Sequence, residues 1–222
     1  MTDRAGPNAI MSDPPRTAPI DISVPGDAEE TARAELYGLL ARLWLAPPDE
    51  PLLAQFRVAV TEAPEPGGHL ERPWQDLVAA MRATTPAAAR DEFDTLFHSV
   101  GKPEVFVYGS YYLSGSLNDR PLARLRTDLA ALGLARDEAR METEDHVAYV
   151  FEVMRYLIAG DDAGRCNLEQ QRRFFRAHVQ TWIARLCDAV QGHPRARLWA
   201  AVAALTRAFV EVEAQGFDLL EA

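Results

Sequence analysis

The stretch METEDHVAYVFEVMRYLIA, Met141–Ala159, decides how the rest of the chain is read. Val147, Val150, Phe151, Met154, Leu157 and Ile158 recur at spacings of three and four, which puts them on one face of an α-helix. The expected helix spans about 143–159, with Thr143 as N-cap and Glu144 and Asp145 in the first turn. A second stripe, Glu142, Asp145, Tyr149, Glu152 and Tyr156, runs beside the apolar one at the same spacings. Acids and tyrosines therefore alternate along one ridge. Such a ridge suits guanidinium groups, which pair with carboxylates in a fork and stack on aromatic rings. The local alternative is that first-turn acids only complement the helix dipole. His146 stands next to the ridge and has no second ligand at HExxH-like spacing, so it reads as a hydrogen-bonded structural residue.

The same periodicity extends in both directions. Leu36, Leu39, Leu40, Leu43 and Trp44 mark a helix over 30–46, which APPDEP breaks. Leu52, Leu53, Phe56 and Val60 mark a second, ended by PEPGG. Further helices are expected over about 70–83, 86–98, 119–133, 167–190 and 194–215, with Pro86 suited to a first turn and Gly133 to a stop. VFVY at 105–108 is the one strand candidate, and it has no evident partner. The expected fold class is all-α, a single-domain bundle of about eight helices over 29–222. The segment 1–28 holds five prolines and little periodicity, so it reads as a disordered tail; Met1 and Met11 both remain open as the start.

Composition narrows the function. The net charge of -10 disfavours a nucleic-acid surface and leaves room for a basic partner. Cys166 and Cys187 stand far apart, which fits neither a disulfide framework nor a zinc pattern and points to a reducing compartment. No apolar run reaches the length of a membrane span, and the N-terminus lacks the pattern of a signal peptide. There is no GxGxxG, Walker or GxSxG motif, so no catalytic residue, metal site or cofactor is expected. His178, between Phe175 and Trp182, reads as half-buried packing; His69, His98 and His193 fall at helix ends.

One stretch departs from the helical pattern. VFVYGSYYLSG, Val105–Gly115, gathers Tyr108, Tyr111 and Tyr112 around Gly109 and Ser110. Tyrosine offers a large contact area with few torsions to freeze, so a recognition segment is one reading and core plus turn is the other. EFDTLFHSVGKPEVFVYGSYYLSG, METEDHVAYVFEVMRYLI and FFRAHVQTWIARL, in this order and at these separations, resemble the TorD/DmsD family of molybdoenzyme chaperones over about residues 30–215. The resemblance implies an all-α cytoplasmic protein without a catalytic site. Its partner would be a molybdopterin-enzyme catalytic subunit of the DMSO reductase or formate dehydrogenase type, or the twin-arginine leader of such a subunit. It also implies a monomer with some dimer, for which the linkers 46–51 and 64–68 are candidate hinges. The family's aromatic-Gly-Ser-aromatic loop falls on Tyr108, Gly109, Ser110, Tyr111 and Tyr112, and its acidic motif on Glu142, Glu144, Asp145 and His146. With Tyr149 and Glu152 from the ridge, these form the expected peptide-binding set. Thr143 and Thr181 stand where the family often has proline. A regulatory adaptor for a different basic peptide is the alternative function; a helical enzyme or metal protein with a dispersed site is a third.

Overall fold

The computed structural model describes residues 27–58, 67–98, 101–137 and 141–220. Val60, most of the 64–68 linker and nearly all of the 1–28 tail lie outside them. The described residues form ten α-helices and no strand: α1 (Asp27–Leu45), α2 (Glu50–Val58), α3 (Glu71–Ala83), α4 (Pro86–Phe97), α5 (Gly109–Ser114), α6 (Arg120–Ala131), α7 (Val147–Ala159), α8 (Leu168–His178), α9 (Ile183–Gln191) and α10 (Leu198–Leu219). The architecture is all-α and single-domain.

α1 lies along α7, and α10 packs on α9, α3 and α4. The six apolar residues of the 147–158 stripe are all buried. Burying one such side chain stabilises the fold by about 1.5–3 kcal/mol, so this seam is a major contributor. Tyr37 of α1 sits where the helices meet, edge-on to Phe151 of α7 and Phe209 of α10, with ring centroids 5.6 and 4.7 Å away. Its hydroxyl donates to Glu213 at 3.1 Å, and Arg33 donates to the same carboxylate at 2.7 and 2.9 Å. The pairing is what allows a carboxylate to be buried between α1 and α10. Glu92 of α4 caps the start of α10, accepting from the N–H groups of Arg197, Leu198 and Trp199 at 2.8–3.1 Å.

The helix count exceeds the expected eight for two reasons. First, the helix expected over 167–190 is broken at 179–182. The Trp182 indole N–H donates to the His178 carbonyl at 2.7 Å, the acceptor that the Trp182 backbone N–H would use in a continuous helix. The buried ring thereby replaces one backbone bond and turns the chain. Second, 109–114 is helical. Gly109 is there for space rather than flexibility: a Cβ at this position would stand 3.1 Å from the Trp182 ring. Gly115, at φ 81°, closes the helix in the left-handed region.

The helix expected from 143 begins instead at Val147, and its N-cap is His146, not Thr143. Glu142 and Asp145 therefore precede the helix and are not part of a helical ridge. VFVY does find a partner: Tyr108 and His146 form an isolated antiparallel bridge. Gly109 N–H donates to the Asp145 carbonyl and Val147 N–H to the Val107 carbonyl, both at 2.9 Å. These bonds use backbone groups that an earlier helix start would have required.

Candidate functional site

The bridge brings the two motifs singled out in the sequence side by side. Asp145 locks them further. Its carboxylate is 4% exposed; Oδ2 accepts from the Ser110 N–H at 2.8 Å and Oδ1 from the Thr143 hydroxyl at 2.6 Å. α5 has no side-chain cap of its own, so a carboxylate from another segment satisfies its first turn. Asp145 is thus a clasp rather than an exposed acid.

His146 is 5% exposed, and its Nδ1 accepts from the Ala148 N–H at 3.1 Å. Burial lowers its pKa to about 4, against the opposing pull of Glu142 and Asp145, so the ring is neutral at pH 7. The loop is pinned by the backbone on either side of His146, while its side chain caps its own helix. His178 is more deeply buried than expected and bonds the Asp128 carboxylate at 2.7 Å; burial keeps its pKa below the usual value despite that partner.

The tyrosines are half-buried and each is engaged. The Tyr108 hydroxyl donates to Glu142, and burial together with that carboxylate raises its pKa. Tyr111 stacks on Phe106 with centroids 4.1 Å apart. Tyr112 stacks on Trp182 and donates to the Phe106 carbonyl at 2.8 Å. Gly109 and Ser110 are buried.

Open space lies along α7. A groove of about 400 Å³ runs between the end of α6, the segment after it and α7, lined by Leu134, Arg136, Glu144, Tyr149, Glu152 and Tyr156 among others. Glu144 accepts from Arg126 at 2.9 and 3.0 Å; burial works to raise its pKa, yet Arg126 and Arg136 hold it below the usual value. Glu152 is 45% exposed and pairs with Arg155 at 2.7 Å. Of the expected set, Glu144, Tyr149 and Glu152 face this groove, whereas Gly109, Ser110, Asp145 and His146 build the joint behind it. Tyr156 belonged to the sequence stripe and joins the groove. Leu134 and Arg136 carried no sequence signal, because only tertiary packing brings their segment opposite α7.

Among the described residues no His, Cys, Asp and Glu side chains cluster closely enough to hold a metal, and no helix is long and apolar enough to cross a membrane. Both cysteines are unpaired, and burial pushes the Cys187 thiol up to about 12.

Residues 64–188 match the model of a family described as nitrate reductase delta subunit. Proteins named chaperone protein TorD, from three strains of Vibrio cholerae serotype O1, are each 24% identical over 204 residues, covering 85% of this chain and 93% of the relative. The family match spans more than half of the chain, and the chain therefore belongs to the nitrate reductase delta subunit family, the TorD-type chaperones, which are not catalysts.

Proposed function

We propose that this protein is the cytoplasmic maturation chaperone of a molybdopterin enzyme, of the DMSO reductase or formate dehydrogenase type. It holds the N-terminal or twin-arginine leader region of the apo catalytic subunit while the cofactor is inserted. The observation that carries this reading is the α6–α7 groove, whose lining gathers Glu144 and Glu152, each paired with an arginine of this chain that an incoming guanidinium would replace, with Tyr149 and Tyr156. Carboxylates beside aromatic faces are what a guanidinium needs, one for paired hydrogen bonds and the other for stacking. The net charge of -10 adds steering toward a basic segment, an effect that fades with salt. In this reading Tyr108, Gly109, Ser110, Tyr111, Tyr112, Glu142, Asp145 and His146 hold the shape of the site, and the three tyrosines with Glu142 also present its half-exposed rim.

The test is a pull-down of the native protein from its own cells with mass spectrometry. A molybdopterin-enzyme catalytic subunit is the expected partner. A basic-peptide partner unrelated to molybdenum would replace this reading with the adaptor one. Calorimetry with the recovered subunit's leader peptide then follows, on wild type and on Tyr149→Ala and Glu152→Gln.

A further inference from the structure

The α6–α7 groove carries charges of both signs. Among the described residues its acids Asp137, Glu144 and Glu152 stand with the arginines Arg126, Arg136 and Arg155, so the formal charges cancel. A segment with only positive charge therefore meets local repulsion as well as attraction. The two paired acids are held differently. Glu144 is 14% exposed; its Oε2 accepts two N–H groups of Arg126, and Arg136 stands 3.8 Å from Oε1. Glu152 gives only Oε2 to Arg155, in one hydrogen bond of 2.7 Å, and both side chains of that pair are about half exposed. Exchange with an incoming guanidinium is easiest at Glu152, because an exposed pair opposes it by no more than about fivefold in affinity.

Arg155 is seated so that it stays at the groove after such an exchange. Its stem lies on α1 against Gly38, where a Cβ would stand 3.0 Å from Arg155 Cδ. Glycine is a poor residue for the interior of a helix, and here it leaves the path that the Arg155 stem takes. With the stem held, the displaced guanidinium faces the incoming one. A carboxylate on the ligand turns that like-charge contact into a second pair. The spacing of the two groups fixes where that carboxylate must be. Glu152 and Arg155 are three residues apart on α7, which sets their Cβ atoms about 5–6 Å apart. Residues two apart in an extended chain share a side and lie about 6–7 Å apart.

Building on the proposed peptide binding at this groove, we infer that the segment bound there is extended and of mixed charge, with an acid two residues from an arginine. The arginine takes both oxygens of Glu152 in a fork, and the acid takes the guanidinium of Arg155. One internal ion pair is exchanged for two across the interface. Arg155 is thus a specificity-determining residue, which favours this pattern over a purely basic one.

The test is calorimetry of the full chain with synthetic peptides that differ at two positions. The mixed probe has arginine, serine and glutamate in a row, and is made in both orders. The basic probe has glutamine in place of the glutamate. The acidic probe has glutamine in place of the arginine. In one of its two orders the mixed probe should bind about threefold to fivefold more tightly than the basic one, and the acidic probe should bind most weakly. Arg155→Gln should move the two arginine probes in opposite directions: the mixed probe weakens about threefold to fivefold, and the basic probe tightens, because its competitor is gone. Gly38→Ala, which presses on the Arg155 stem without changing any charge, should shrink the advantage of the mixed probe, with a thermal melt to show that the fold is kept. If the basic probe binds as tightly as the mixed one and Glu152→Gln weakens both, this inference is overturned and the leader-binding reading survives. If Arg155→Gln weakens both arginine probes alike, Arg155 is only structural and the inference is overturned. Binding of the arginine probes that Glu152→Gln does not weaken overturns both the inference and the groove as the leader's site. Binding by none of the probes overturns the inference, and the leader reading then stands or falls with the recovered subunit's own leader peptide.

Discussion

Mild acid should loosen the joint between the two motifs through His146. Its folded-state pKa is about 4, against 6.5 for the free side chain. The unfolded chain takes up the proton first, so the stability is fullest above about pH 6.5 and falls until about pH 4, where the folded state is protonated too. Holding the folded imidazole neutral down to about pH 4 corresponds to about 3 kcal/mol. Between about pH 7.5 and 5.5 the part lost is about 1 kcal/mol. That window stays above the sequence pI of 5.0, where solubility falls. It also lies above the range in which Glu144, with its lowered pKa, begins to contribute. His178 shifts in the same direction as His146 but is common to both proteins compared. The comparison is urea unfolding of wild type and His146→Asn at each pH, because asparagine still accepts at an N-cap but does not titrate. The variant should lose about 1 kcal/mol less than wild type over the window. Equal pH dependence in the two proteins would refute the buried, neutral, capping imidazole.

Asp145→Ala should cost about 2–3 kcal/mol in urea unfolding and reduce leader-peptide affinity with it, since a buried carboxylate hydrogen-bonded to the Ser110 N–H is lost. Glu152→Gln should leave the melting temperature unchanged and weaken peptide binding about fivefold in calorimetry, because its carboxylate is part-exposed and lies outside the core. Gly109→Ala should destabilise by about 1 kcal/mol and disturb the stacking of Tyr112 on Trp182, visible in near-ultraviolet circular dichroism, since the new methyl presses on the indole. Removing residues 1–28 should barely shift the melting temperature; a fall of several degrees would show that the segment packs on the domain.

The periodicity of the chain was enough to establish the helical class, because a helix face exposed to core or solvent writes itself locally at spacings of three and four. Leu36 to Trp44, Trp74 to Met81 and Val147 to Ile158 all lie in helices whose bounds the sequence placed within a few residues. The same rule misled at the start of α7. Read by spacing alone, Glu142, Asp145, Tyr149 and Glu152 form one ridge, but the helix begins after Asp145. What moved its start was a bridge to residues 107–109, a pairing between segments nearly forty positions apart that no local window contains. That bridge sorted the acids into different trades: Asp145 became a buried clasp, and Glu152 stayed part-exposed beside the groove. The break at 179–182 has the same origin, since a tryptophan that takes a carbonyl from its own helix does so only where a pocket exists for its ring. Residue types and their spacing thus determined the helices and nominated both motifs. Which backbone groups pair across the chain, which acids are desolvated and where a groove stays open were decided only by the packing of distant segments, because burial is a property of neighbours in space and not of neighbours in sequence.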